Sequence, residues 1–296
     1  MTESSLVEEV FDVLKRAGYQ ADLILYPREE RSVDIVASSG GKPLFLKIVQ
    51  DAKEISKHEI SDLKKIRAAY DTSTVIVATR HYNKELEDDV VYVKYGSNVI
   101  TLKTLENYLI KREKPLVACV RGNYILKINP QKFRQRREEL QCSRGMLADI
   151  LGTSRKTIYM YERGEMYISV DKALRLASMM GEDIFEEFDP VQGILEYTKE
   201  ENSTPRDSVE ELIFQLAKRM GHMFLNFTGL PVDIALKGEI KVSVVKDDPN
   251  YLDEKVKYAE KIATATKAAV FLVRSKHDIN GLAKLLSKRE STENTN

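Results

Sequence analysis

Residues 143–164 read SRGMLADILGTSRKTIYMYERG, and the rest of the chain is organised around them. Ser143 can cap a first helix by accepting backbone N–H bonds. Leu147, Ala148 and Leu151 follow on one apolar face, and the small Ala148 lets a neighbouring helix come close. Gly152 stands where a helix ends most cheaply in the left-handed conformation. Thr153 leads into Ser154, which can cap a second helix over residues 154–163. With so short a turn, the two helices must pack at a steep angle. On the second helix, at about 100° per residue, Thr157, Ile158 and Tyr161 gather on the inward side. Arg155, Lys156, Tyr159, Met160 and Arg163 gather on the other, and Gly164 stops the helix. This arrangement suits a helix laid in the DNA major groove. The competing reading is a solvated helix hairpin in a larger helical domain.

The outward face carries the chemistry expected of a DNA reader. Arginine and lysine donate to guanine O6 and N7 or to phosphate, and Tyr159 and Met160 offer apolar contact to thymine methyls or sugar. The segment resembles the Cro/phage-repressor (XRE) family of helix-turn-helix domains. The matching residues are Ser143, Leu147, Ala148, Leu151, Gly152, Ser154, Arg155, Ile158, Glu162 and Gly164. The resemblance runs over roughly residues 129–190. It includes a lead helix with Phe133, Arg136, Arg137 and Leu140, and a following helix with Ala173, Leu174, Leu176 and Ala177 as core. It implies that Arg144 and Arg155 contact phosphate and bases, that Lys156, Tyr159 and Met160 read bases, and that Arg163 contacts phosphate. Thr157 completes the expected contact set. Tyr159 and Met160 depart from the polar readers common in the family.

Charge orients this unit. Residues 129–163 hold eight Lys/Arg and four Asp/Glu, whereas residues 164–190 hold two and seven. One side should therefore face phosphate and the other should not. The whole chain of 296 residues balances at 46 basic and 46 acidic side chains, which hides the asymmetry. That balance also argues against a general DNA-coating protein.

Other classes are disfavoured. No run approaches the roughly 18 apolar residues of a membrane span, and the acidic N-terminus is no signal peptide. Cys119 and Cys142 are the only cysteines, and so separated they form neither a metal motif nor a disulfide framework. The expected compartment is a reducing cytoplasm. His58, His81, His222 and His277 are scattered. Ser38-Ser39-Gly40-Gly41 is a turn signal without the lysine and hydroxyl of a phosphate loop, so no cofactor is implied.

The flanks read as α/β units, and each follows the same order. Residues 10–18 (VFDVLKRAG) resemble 213–221 (IFQLAKRMG), and 33–35 (VDI) match 232–234 (VDI). Residues 44–51 (LFLKIVQD) align with 240–247 (IKVSVVKD), and 75–78 (VIVA) with 270–273 (VFLV). A duplicated domain with a DNA-binding unit between its copies is the expectation. The expected boundaries are an α/β domain at 1–114, a β-hairpin at 115–128, the helix-turn-helix domain at 129–190 and a linker at 191–208. A second α/β domain at 209–289 and a disordered tail at 290–296 complete the chain.

The first flank also resembles the restriction-endonuclease-like fold of nucleases and Holliday-junction resolvases. That resemblance implies a Mg²⁺ held by a strand Asp and by an acid two residues before a Lys. Asp34 and Lys47 match, but Phe45 stands at the acid position and cannot ligate a metal. Glu9 matches a possible helix position, and Asp51, Glu54 or Glu59 are candidates for a migrated ligand. In the second flank Asp233 survives, with Lys241 and Ser243 aligned to the acid and lysine. The fold is therefore expected to be degenerate, with neither metal nor catalytic residue.

The leading expectation is a sequence-specific, double-stranded DNA-binding transcriptional regulator, similar in domain order to helix-turn-helix regulators of archaea. It would act as a homodimer, with no membrane and an unknown effector. The alternatives are a metal-dependent nuclease or resolvase targeted by the helical module, and a DNA-binding scaffold or antitoxin-like partner.

Overall fold

A computed structural model describes residues 3–193 and 203–287 of the chain. The expected tail and half of the expected linker, residues 194–202, lie outside the described residues.

The first unit runs α1 (Glu3–Arg16), β1 (Gln20–Leu23), β2 (Ile35–Ser38), β3 (Leu44–Asp51), α2 (Lys57–Tyr70), β4 (Ser73–His81), β5 (Lys84–Glu85), β6 (Val90–Lys94), β7 (Ser97–Ile100) and α3 (Leu102–Glu106). A hairpin follows, β8 (Val117–Val120) and β9 (Asn123–Ile128). The middle unit has α4 (Pro130–Glu139), α5 (Arg144–Ile150), α6 (Arg155–Glu162), β10 (Ile168–Ser169), α7 (Val170–Met180) and β11 (Phe185–Glu186). The last unit has α8 (Ser208–Arg219), β12 (Met223–Asn226), β13 (Ile234–Lys237), β14 (Lys241–Lys246), α9 (Leu252–Thr266), β15 (Ala269–Val273) and α10 (Ile279–Leu286).

The two α/β units repeat one topology. Strands β1-β2-β3-β4 and β12-β13-β14-β15 lie in the same order. In each the first two pairings are antiparallel and the last is parallel. The backbone bonds repeat as well. Asp34 N–H donates to Leu46 O and Asp233 N–H to Val244 O, while Ile24 and Phe227 donate to the carbonyls of those two aspartates.

These registers correct the sequence alignment. Leu46 pairs opposite Ile35 and Val244 opposite Ile234, so Ser243 stands where Phe45 does and Val245 where Lys47 does. The sequence alignment had slipped by two residues in this strand. A slip of two keeps every side chain on its own face, so alternation does not detect it. The last strand had slipped by one, and Val75 corresponds to Phe271. Central parallel strands are apolar on both faces and offer no alternation to read.

The first sheet continues far beyond its copy. Strand β7 pairs with β4, β6 with β7 and β8 with β6. Strand β9 then pairs with β8 and carries β10 and β11 of the helical unit. The hairpin is thus one stretch of a sheet joining the first unit to the helical one. Sequence reading missed β7, whose Ser97 and Asn98 look like turn residues. Both are buried, and the Asn98 amide donates to the carbonyls of Pro190 and Gln192.

The two α/β units also share a core. Helix α2 contributes Ile60, Leu63, Ile66 and Tyr70, and helix α9 contributes Tyr258, Ala259 and Ile262, to one cluster with Phe45 and Val245. Polar contacts rim it. Tyr70 Oη lies 2.8 Å from Ser243 Oγ, and the Asp62 carboxylate accepts Gly229 N–H at 2.8 Å. From the other side Tyr26 donates to Asp248 at 2.7 Å, and Lys261 pairs with Asp22 at 2.8 Å. Each unit therefore sends its β1–β2 or β12–β13 loop onto the helix region of the other.

The helical unit closes around Phe133, Leu147, Ala148, Leu151, Ile158, Tyr161, Ala173 and Leu176. One expectation fails here. Leu174 is 64 % exposed, and Met180 takes its place in the core. Ser169 starts α7 in a position that turns residue 174 outward, with 173, 176 and 180 inward. Among the described residues no helix is long and apolar enough to cross a membrane.

Candidate nucleic-acid interface

Local chemistry builds the helix pair as its sequence suggests. Ser143 Oγ accepts Met146 N–H, and Ser154 Oγ accepts Thr157 N–H, both at 3.1 Å. Gly152 has φ +58° in the turn, a conformation that glycine adopts without a Cβ penalty. Ile158 and Tyr161 are buried, with Tyr161 edge-on to Phe133. Arg155, Lys156, Tyr159 and Arg163 are exposed, and Met160 is half-buried. Thr157 is half-buried, and its hydroxyl lies 3.0 Å from that of Ser154, inside the cap.

Glu162 holds the pair together. It is buried, takes Arg137 Nε at 2.6 Å from α4, and takes Arg144 Nε at 2.7 Å and Nη2 at 2.6 Å from α5. Burial alone would raise its carboxyl, but the bonds from Arg144 and Arg137 outweigh it and hold the group below the usual carboxylate range. The family resemblance included Glu162 only as a matching letter. Its role is to clamp α6 to the two helices before it.

This clamp changes the reading of the cations. Of the eight Lys/Arg in residues 129–163, Lys132 and Arg136 pair with Asp183, Arg137 and Arg144 with Glu162, and Arg163 with Glu165. Arg134, Arg155 and Lys156 have no ion pair among the described residues. Arg144 and Arg163 flank the Tyr159 ring, at 5.4 and 5.6 Å from its centroid, which fixes that ring on the outer face. The guanidinium of Arg155 lies along Gly145: a Cβ there would stand 2.9 Å from Arg155 Nε. Sequence reasoning missed this residue, whose lack of a side chain leaves the channel for the arginine.

The nuclease-like centre is filled by its own cations. Asp34 is buried and accepts Ile48 N–H at 2.7 Å through one oxygen and Arg31 Nη2 at 2.6 Å through the other. Lys47 Nζ lies 3.6 Å from Asp34 and 3.1 Å from Glu59, so Glu59 is the one candidate acid that joins the group. Phe45 is buried in the core. Asp51 instead accepts the backbone N–H groups of Lys53, Tyr82 and Asn83, and Glu9 accepts the Ser5 hydroxyl. Two carboxylates already matched by Arg31 and Lys47 leave no negative charge for Mg²⁺, which this fold would otherwise imply. The residues present do not fit the metal. No group of three Asp, Glu, His or Cys among the described residues could hold one. In the last unit Asp233 is met at 2.7 Å by Lys255, a residue of α9.

A helix pair with this cap, clamp and outward face, set on a restriction-endonuclease-like sheet, defines a helix-turn-helix protein. Comparison with known proteins agrees. A family described as "PD-(D/E)XK superfamily domain" matches residues 3–115, and one described as "Helix-turn-helix" matches residues 133–186. Three relatives are each named "Putative HTH-type transcriptional regulatory protein". The one from Aeropyrum pernix is 38% identical over 60% of this chain and 54% of its own length. The one from Pyrococcus horikoshii is 31% identical over 81% and 75%. The one from Saccharolobus islandicus is 32% identical over 90% and 86%. The chain belongs to this family of archaeal HTH-type regulatory proteins. The match spans just over half the Aeropyrum relative. No solved structure matches the chain.

Proposed function

We propose that the chain is a sequence-specific transcriptional regulator that binds double-stranded DNA as a homodimer. Helix α6 enters the major groove with Arg155 and Lys156 foremost. The observation that carries this reading is that these two cations, on the first turn of a rigidly clamped helix, have no acidic partner among the described residues. Cations unmatched within the chain are free to neutralise phosphate or to reach guanine edges. Tyr159, held between Arg144 and Arg163, adds an apolar plate beside them, and Thr157 and Met160 lie at its margin. The nuclease reading is disfavoured by the pairing of Asp34 with Arg31 and Lys47.

One helix reads only a few base pairs, so a two-fold site is expected, with half-sites about 34 Å apart. The test is selection of bound fragments from random DNA, followed by a salt titration on the best site. A palindromic motif with a steep salt slope supports the reading. Failure to enrich any motif overturns it.

A further inference from the structure

In the first unit the outer edge of β4 is covered: β7 lies against it, with Ile76 opposite Val99 and Val77 opposite Ile100. Strand β15 holds the same position in the last unit but, among the described residues, is the edge of its sheet. Burial records the difference. Val75, Ile76 and Val77 are fully buried, whereas their counterparts Phe271 and Leu272 are only partly buried and Val273 is buried. The backbone direction of β15 is known from one bond: Val273 O accepts Asp247 N–H on the β14 side. Within a strand, N–H and C=O of one residue point the same way and alternate along the chain. Phe271 and Ala269 therefore also face β14, and Val270 and Leu272 present their backbone groups to the open edge. No proline or inward charge guards the strand.

We propose that this edge pairs with the β15 edge of a second copy of the chain, antiparallel about Phe271, joining two four-stranded sheets into one of eight. This rests on the two-fold reading of DNA above and names the surface that would supply it. The register about Phe271 sets Val270 against Leu272 of the second copy, the residues whose backbones face outward. It also sets the two Phe271 rings across from each other, as cross-strand aromatic pairs favour. A groove of about 490 Å³ beside the strand, lined by Glu260, Ala263, Thr264, Lys267, Ala268 and Val270, is left for the second copy's helix. Charge selects a copy of this chain as the occupant. Helix α9 begins with Asp253 and Glu254 and ends at Lys267. Asp253 and Lys267 have no ion pair among the described residues. An antiparallel second α9 brings the Lys267 end of one helix to the Asp253 end of the other. The helix faces towards the first unit are already used within the chain.

The experiment is sedimentation equilibrium of the full chain and three variants, with amide hydrogen exchange of β15. Wild type is expected at the mass of two chains rather than the 33.8 kDa of one, with Val270 and Leu272 amides protected in proportion to dimer. Lys267→Glu should weaken association about tenfold by setting like charges across the interface, and Lys267→Glu with Asp253→Lys should restore it. Val270→Lys should give a monomer with unchanged circular dichroism. Dimer mass unchanged in every variant overturns the β15 interface and leaves the two-fold reading standing. A wild-type monomer that binds a single half-site overturns both. A wild-type monomer with protected Val270 and Leu272 amides puts another segment on the edge and also overturns the proposal.

Discussion

Asp34 in the first α/β unit and Asp233 in the last hold the same place in the same fold, yet their charges are met from different directions. Asp34 is matched by Arg31 from its own loop and by Lys47 from the next strand. Asp233 is matched by Lys255, which lies on α9 where the first unit has Glu59 on α2. The backbone bond is kept in both: Ile48 N–H donates to Asp34 and Lys246 N–H to Asp233. The aspartate thus survives because it satisfies a strand N–H, a structural role that does not need the catalytic one. What differs is the cation, which has moved between elements while the pocket stays neutral. The helical unit does the opposite: among the described residues Arg155 and Lys156 have no acidic partner.

The comparison can be broken most forcefully at the shared core. Tyr70 is fully buried and bonded to Ser243 of the other unit. Tyr70→Ala should lower stability by about 3–5 kcal/mol in urea unfolding, with both α/β units lost in one transition. Two separate transitions would show that the units are independent. Next comes the cation swap. Lys255→Met leaves the half-buried Asp233 with no ion pair among the described residues and should cost about 3 kcal/mol, whereas Arg31→Met leaves Asp34 its Lys47 and should cost about 1–2 kcal/mol. Equal losses in thermal melts would refute the idea that the two pockets are balanced differently.

Smaller effects sharpen the contrast with the helical unit. Glu162→Gln should destabilise that unit by about 2 kcal/mol, because it removes the buried carboxylate that pairs with both Arg137 and Arg144 and leaves Arg137 only the exposed Glu138. The sign of the pH dependence follows from the lowered carboxyl. The stabilisation is complete above the unfolded value of about 4.3 and disappears as pH falls through the lower folded value. Urea midpoints of wild type should therefore drop with pH below about 4 more steeply than those of the variant. Arg155→Ala should weaken specific DNA binding by about 1–3 kcal/mol without moving the melting temperature. Arg144→Ala should lower the melting temperature, since it breaks the Glu162 clamp. A gel shift in which Arg155→Ala binds as tightly as wild type would remove that residue from the contacts.

Sequence by itself determined the helix pair, its caps at Ser143 and Ser154, its turn at Gly152 and the two faces of α6. It also revealed the repeat of Val-Asp-Ile in the two flanks. These are local properties, set by side-chain period and by bonds between residues three or four apart. Tertiary structure alone decided which cations stay free, because Glu162 and Asp183 reach Arg144, Arg137, Lys132 and Arg136 across helix boundaries. It decided that Leu174 faces out, that β7 covers one strand edge while its counterpart stays open, and that the true strand register lies two residues from the apparent one. Each of these depends on contacts between segments far apart in the chain, and spacing along a sequence carries no measure of such distances.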